Sequence, residues 1–336
     1  MAEITTNSES SPQPPVHDLH WIFIGKNGIR AGWGILIFAF IFFAAIFAAG
    51  ILFPNFLRSL NISAALSPTT GLKLEGIQFS WVLIATAVLA LIERKSLFAY
   101  GYQGTARIVR FVSGLIWGFI AISVLVLVLW KFGLLAFNGQ LLHGAALWKD
   151  AALWGLVFLG TGIFEESTMR GYLQFTVTRG LGFWWGALVI SFLFGFGHGT
   201  NPGETPVGLF SAAASGLIWC LSLWYTGSLW WAVGYHAAWD WGESYFYGTS
   251  DSGLIAQGHL FGTHPVGKLL WSGGATGPEG SLLIIPFVLL IAFFMWLWWG
   301  RRTQSPFTGS AWRPAWSRKP RIEPINLESG SVEATS

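Results

Sequence analysis

Charge is what this chain has least of. Of its 336 residues only 10% are Asp, Glu, Lys or Arg, where a soluble domain carries about 25%. That scarcity argues against a water-soluble fold. Cysteine is nearly absent too: Cys220 is the only one, which excludes an internal disulfide. It lies in the apolar run Ile218-Trp219-Cys220-Leu221 and reads as a packing residue rather than a nucleophile. A formal charge of +3 is too small to point to nucleic acid. No HExxH zincin motif, Gly-x-Gly-Asp segment, P-loop or dinucleotide fingerprint occurs, so nucleotide chemistry is not indicated. No repeat of the inverted-transporter kind stands out. The basic start, short apolar core and cleavage site of a secretory signal are missing as well, and the first apolar run is expected to be a retained anchor.

What is abundant fits a lipid environment. Hydrophobic residues make up 53% of the chain, with 21 Trp and 42 Gly. Indoles settle at membrane interfaces, and glycines let transmembrane helices approach closely. Residues 1–30 are expected to be a polar, disordered tail, residues 31–300 a transmembrane domain, and residues 301–336 a polar tail, basic at its start and attracted to anionic lipid. Eight spans are predicted: Ala31 to Phe53, Gly76 to Ile92, Ile108 to Trp130, Leu147 to Phe164, Phe183 to Gly197, Val207 to Tyr225, Leu229 to Tyr247 and Ser281 to Gly300. Most approach the roughly 20 residues that cross a bilayer. The expected fold is therefore all-α, a polytopic integral membrane bundle. The stretch 248–280, rich in glycine and holding His259 and His264, is expected to be a mobile connection rather than a lid.

Basic residues set the expected orientation. One set of segments holds Lys26, Arg30, Arg94, Lys95, Arg107, Arg110, Arg170, Arg179, Arg301, Arg302, Arg313, Arg318, Lys319 and Arg321; the other holds Arg58, Lys73, Lys131, Lys149 and Lys268. Fourteen against five places both termini in the cytoplasm by the positive-inside rule. A bacterial inner membrane is the expected location.

Three short stretches carry nearly all the ionisable groups in the apolar part: Glu165-Glu166-x-x-x-Arg170, Phe194-x-x-x-His198 and His236-x-x-x-Asp240. Polar groups at membrane depth are costly and usually functional. Neighbouring helix positions differ by about 100°, so the two glutamates should point apart. Glu166 precedes Arg170 by four residues, the favourable order for an ion pair, which leaves Glu165 as a candidate general base. An alternative puts both in headgroup water at a span end. His198 is flanked by Gly195, Gly197 and Gly199, which clear room for a substrate or another backbone; a plain packing histidine is the competing reading. His236 and Asp240 share a helix face, either as an imidazole with its orienting carboxylate or as interhelical glue. Convergent carboxylate and imidazole groups can activate water, alone or with a divalent metal. Two imidazoles and one carboxylate, here Glu165, His198 and His236, would be a familiar zinc set.

In order and spacing the three motifs resemble the CPBP intramembrane proteases, the group of CAAX prenyl endopeptidases and bacteriocin-processing or self-immunity proteins. The resemblance covers 148–247. It implies a helical membrane endopeptidase in which Glu165 and His198 activate the attacking water and Glu166 and Arg170 support the site. His236 and the residue four later would stabilise the oxyanion. That later position is often Asn in the family and is Asp240 here, so its carboxylate must be protonated or turned onto His236. The implied partners are membrane lipid and a peptide or lipidated protein. The basic segments beside Glu165 and Arg170 place the expected site toward the cytoplasmic half. Three other readings stand beside this one. A rhomboid-type serine protease would use Ser215 and His236 but leave Glu165, Glu166 and His198 unexplained. A proton-coupled transporter would use the same buried groups as a relay. A non-catalytic scaffold would use the fold alone.

Overall fold

The computed structural model describes residues 20–25, 28–60, 65–309 and 312. Most of both expected tails lies outside them. The architecture is helical, as composition and apolar periodicity require, and eight segments correspond to the eight predicted spans. They are α1 (Ala31–Leu52), α2 (Pro68–Ile92), α3 (Arg107–Lys131), α4 (Gly144–Glu166), α5 (Phe183–Gly197), α6 (Pro206–Thr226), α7 (Trp230–Asp240) and α8 (Ile284–Met295). Five helices are long and apolar enough to cross a membrane, the fourth of them running from Gly144 to Leu181 with a kink at Gly171. α5, α7 and α8 are shorter. Phe40, Phe43 and Phe47 of α1 are exposed, as expected of side chains that face lipid.

Local sequence sets the ends. Ser67 caps α2 by accepting from Thr70 N, with Pro68 in the first turn; Thr205 and Pro206 start α6 in the same way, and Gly227 stops it in the left-handed region. Such caps satisfy backbone groups that a helix end leaves open. The core pairing is α3 with α7. A Cβ added at Gly114 would lie 2.3 Å from Trp231 O, and one at Gly118 would lie 2.2 Å from Tyr235 O. This glycine pair four residues apart lets the two backbones touch and so fixes the depth and rotation of α7.

Three expectations change. The fourth span does not end at Phe164: it passes through a π-helical stretch, Ser167–Leu173, and continues over Gln174–Leu181. Gln174, Thr176 and Thr178 are buried there, so their polarity marks a helix packed on α5 rather than a loop. The segment 248–280 is paired to other parts of the fold. Ile255–Ala256 pairs with Ala65–Leu66, Phe261–Pro265 pairs with Leu135–Gln140, and Leu260 N donates to Tyr245 O. Finally, both expected tails contain structure near the bundle. Ile24–Gly25 pairs with Gly28–Ile29, and Phe307 is buried against Phe183 and Trp224.

Candidate active site

Glu165 and Glu166 end the regular part of α4, where the π-helical stretch begins. Ser167 and Thr168 donate back to the carbonyls of Ile163 and Phe164, and Gly171 departs from helical geometry. Wide turns of this kind gather at functional sites. They place the glutamates where the regular helix gives way to the kink at Gly171.

The two glutamates do leave the helix in different directions, yet they meet the same ring. Glu166 Oε1 lies 3.3 Å from Nδ1 of His236, and Glu165 Oε2 lies 3.5 Å from Nε2. Asp240 Oδ2 is also 3.5 Å from Nε2, so this carboxylate is turned onto the imidazole. Trp219 stacks on the ring at 4.1 Å and 19°. Glu166 is fully buried, whereas the Glu165 side chain is 24% exposed. That difference divides the pair: Glu166 faces protein, and Glu165 opens onto the cavity.

Glu166 Oε1 also takes Nη1 of Arg170 at 3.2 Å. The guanidinium is fully buried between the rings of Phe194, at 4.4 Å, and Trp219, at 4.9 Å. Cation–ring contacts of this kind offset part of the cost of burying the charge. Gly216 is required beside it, because a Cβ there would lie 2.4 Å from Arg170 Nη2. His198 follows the end of α5. Its Nδ1 is 2.8 Å from Phe194 O; a carbonyl only accepts, so Nδ1 carries the hydrogen and Nε2 is left as the basic nitrogen.

Glu165, His198, His236 and Asp240 line one cavity of about 370 Å³. It runs from Met169 and Ser215 in mid-bundle to Leu66, Asn201, Ser252 and Ile255, at the end where α2, α4 and α6 begin. The cavity lies toward the end opposite Arg94, Lys95 and Arg179. Ser215 reaches the cavity too, but both nitrogens of His236 face carboxylates.

Several lining residues were not anticipated. Glu75 of α2 accepts from Thr161 Oγ1 at 3.0 Å and leaves Oε2 without a partner. It was placed before the second span because that helix starts at Pro68, eight residues earlier than Gly76. Asp251 and Glu279 reach the cavity from the segment after α7. Among the described residues, the group of three metal-ligating side chains whose atoms approach within 4.8 Å of one another is Glu243, Asp251 and Glu279. The expected metal set of Glu165, His198 and His236 shares the cavity wall but is not drawn within that distance of one another.

Helices packed around buried carboxylate and imidazole groups define an integral membrane bundle with an internal polar cavity. Residues 147–242, which carry all three motifs, match the family described as type II CAAX prenyl endopeptidase Rce1-like, in agreement with the resemblance to the CPBP proteases. No curated protein and no solved structure matches the chain.

Proposed function

We propose that the protein is an intramembrane endopeptidase that hydrolyses peptide bonds with a water activated by Glu165 and His198. One observation carries the reading: Glu165, His198 and His236, from three different helices, line one cavity within the segment that matches the family. Water gives a proton to the Glu165 carboxylate as its oxygen attacks the scissile carbonyl carbon. His198, steadied through Nδ1, orients that water with Nε2. His236, held through Nδ1 by Glu166 and stacked on Trp219, turns its Nε2–H from the carboxylates of Glu165 and Asp240 to the oxyanion as it forms. As the C–N bond breaks, the proton held by Glu165 passes to the leaving amine. Positioned acid–base groups of this kind contribute about 10²–10⁴-fold each.

Glu166 and Arg170 are positioning residues that hold His236 in register. No step uses a metal. A zinc ion would require Glu165, His198 and His236 to close around it, and elemental analysis of the purified protein tests that. The enzyme is read as resident in a bacterial inner membrane.

The test uses purified protein in lipid vesicles with peptides that span or lie beside the bilayer. Wild type should cleave them, and His198→Ala should lose at least about 10²-fold in kcat/KM while its unfolding temperature is kept. A transporter would instead show uptake driven by a pH gradient and no cleavage, which would overturn the reading.

A further inference from the structure

The two ends of the bundle differ in charge, and the cavity belongs to one of them. Arg30, Arg94, Lys95, Arg107, Arg110, Arg179, Arg301 and Arg302 gather where α3 and α7 begin and α2 and α8 finish. The cavity reaches the other end. Its wall holds the carboxyl groups of Glu75, Glu165, Asp240, Asp251 and Glu279 but no lysine or arginine. The five cations of that end, Arg58, Lys73, Lys131, Lys149 and Lys268, line no part of it.

Behind the Asp251 and Glu279 part of the wall lies an incomplete arrangement. Glu243 is fully buried and neither carboxylate oxygen has a hydrogen-bond partner. An oxygen of Glu243 lies within 4.8 Å of carboxylate oxygens of Asp251 and Glu279. Trp239 Nε1 and Ser252 Oγ supply single hydrogen bonds to Glu279, and Ser244 Oγ supplies one to Asp251. Buried carboxylates this close together need a positive partner or a shared proton.

We infer that the substrate is a cationic peptide segment presented on the membrane face opposite the basic end. By the positive-inside rule that face is the non-cytoplasmic one. This rests on the endopeptidase reading and names its substrate class. A lysine or arginine of the substrate completes the Glu243–Asp251–Glu279 trio, while Leu66, Leu254 and Ile255 receive the apolar residues beside it. The free carboxylate of a lipidated CaaX tail would meet an acidic wall instead. Like-charge juxtaposition is a strong negative element of specificity.

Two measurements on the full chain test this. Single cysteines are placed at exposed Gln257, on the cavity end, and at exposed Thr303, on the basic end; the native Cys220 is buried. A membrane-impermeant maleimide should label Gln257→Cys in intact cells and Thr303→Cys only after lysis. The reverse pattern overturns the assigned face. Purified protein is then given matched apolar peptides flanked by Lys, Gln or Glu, and a prenylated peptide with a free C-terminus. The Lys peptide should exceed the Glu peptide in kcat/KM by roughly tenfold or more, and Asp251→Asn should shrink that ratio. Faster cleavage of the prenylated peptide overturns the substrate class. So do equal rates, or a preference that a chelator alone abolishes, because an inorganic cation would then occupy the trio. Expected labelling with no cleavage of any peptide removes the endopeptidase reading and the substrate class with it. Cleavage with reversed labelling removes only the orientation.

Discussion

Two ends of one bundle treat the same chemical group in opposite ways. At the basic end Glu93 accepts from Arg179 Nη2 at 2.8 Å and from the Tyr172 hydroxyl at 3.0 Å, and it pairs with Lys95. Burial works against its ionised form, yet the hydrogen bonds and charges of Arg179 and Lys95 win and hold the carboxyl below its ordinary range. At the cavity end, burial foremost, and then the neighbouring Glu279, pushes Asp251 up to about 8. Burial likewise raises Glu279. One end is a finished ion-pair network that closes the bundle. The other keeps acidic groups short of partners, which is expected where a ligand is to supply the missing charge.

The largest effect should come from the knot joining the two regions. Arg170→Met removes the partner of a fully buried glutamate, and breaking such a pair costs about 3–5 kcal/mol. The expected result is a steep fall in unfolding temperature together with lost cleavage. Arg170→Lys should recover little of either, since a lysine does not stack flat between Phe194 and Trp219. Wild-type stability in Arg170→Met would mean that the pair does not organise the site.

A smaller effect sharpens the contrast between the ends through pH. The folded pKa of Glu93 is lowered, so its stabilisation is present above the ordinary carboxylate value and is lost as pH falls through the folded value. Asp251 is raised, so its contribution is full below the ordinary aspartate value and drains away as pH rises toward about 8. Unfolding temperature against pH should therefore flatten on the acid side in Glu93→Gln and on the neutral side in Asp251→Asn. Identical profiles for the two variants would erase the distinction.

The helices were legible because lipid demands long apolar runs, and each predicted span overlaps a helix. Their limits were less so. The π-helical turn after Glu166 and the polar face of Gln174–Leu181 hid the helix that follows α4. The three motifs could be read from spacing alone. Their convergence could not, since the Gly114–Gly118 contact with α7 and the stacking of Trp219 on His236 are tertiary. Glu243 lies at the end of a predicted span, while Asp251 and Glu279 lie in a segment that looks like a loop. Only the pairing of Ile255–Ala256 with Ala65–Leu66 and of Phe261–Pro265 with Leu135–Gln140 brings that segment over the cavity.

The adjacent glutamates offer the most direct test of the central claim, that one carboxylate acts on water while its neighbour holds the imidazole. Cleavage rate and unfolding temperature are measured side by side in Glu165→Gln and Glu166→Gln. The first should lose cleavage at nearly unchanged unfolding temperature, and the second should lose both. Cleavage at the wild-type rate by Glu165→Gln would contradict the account.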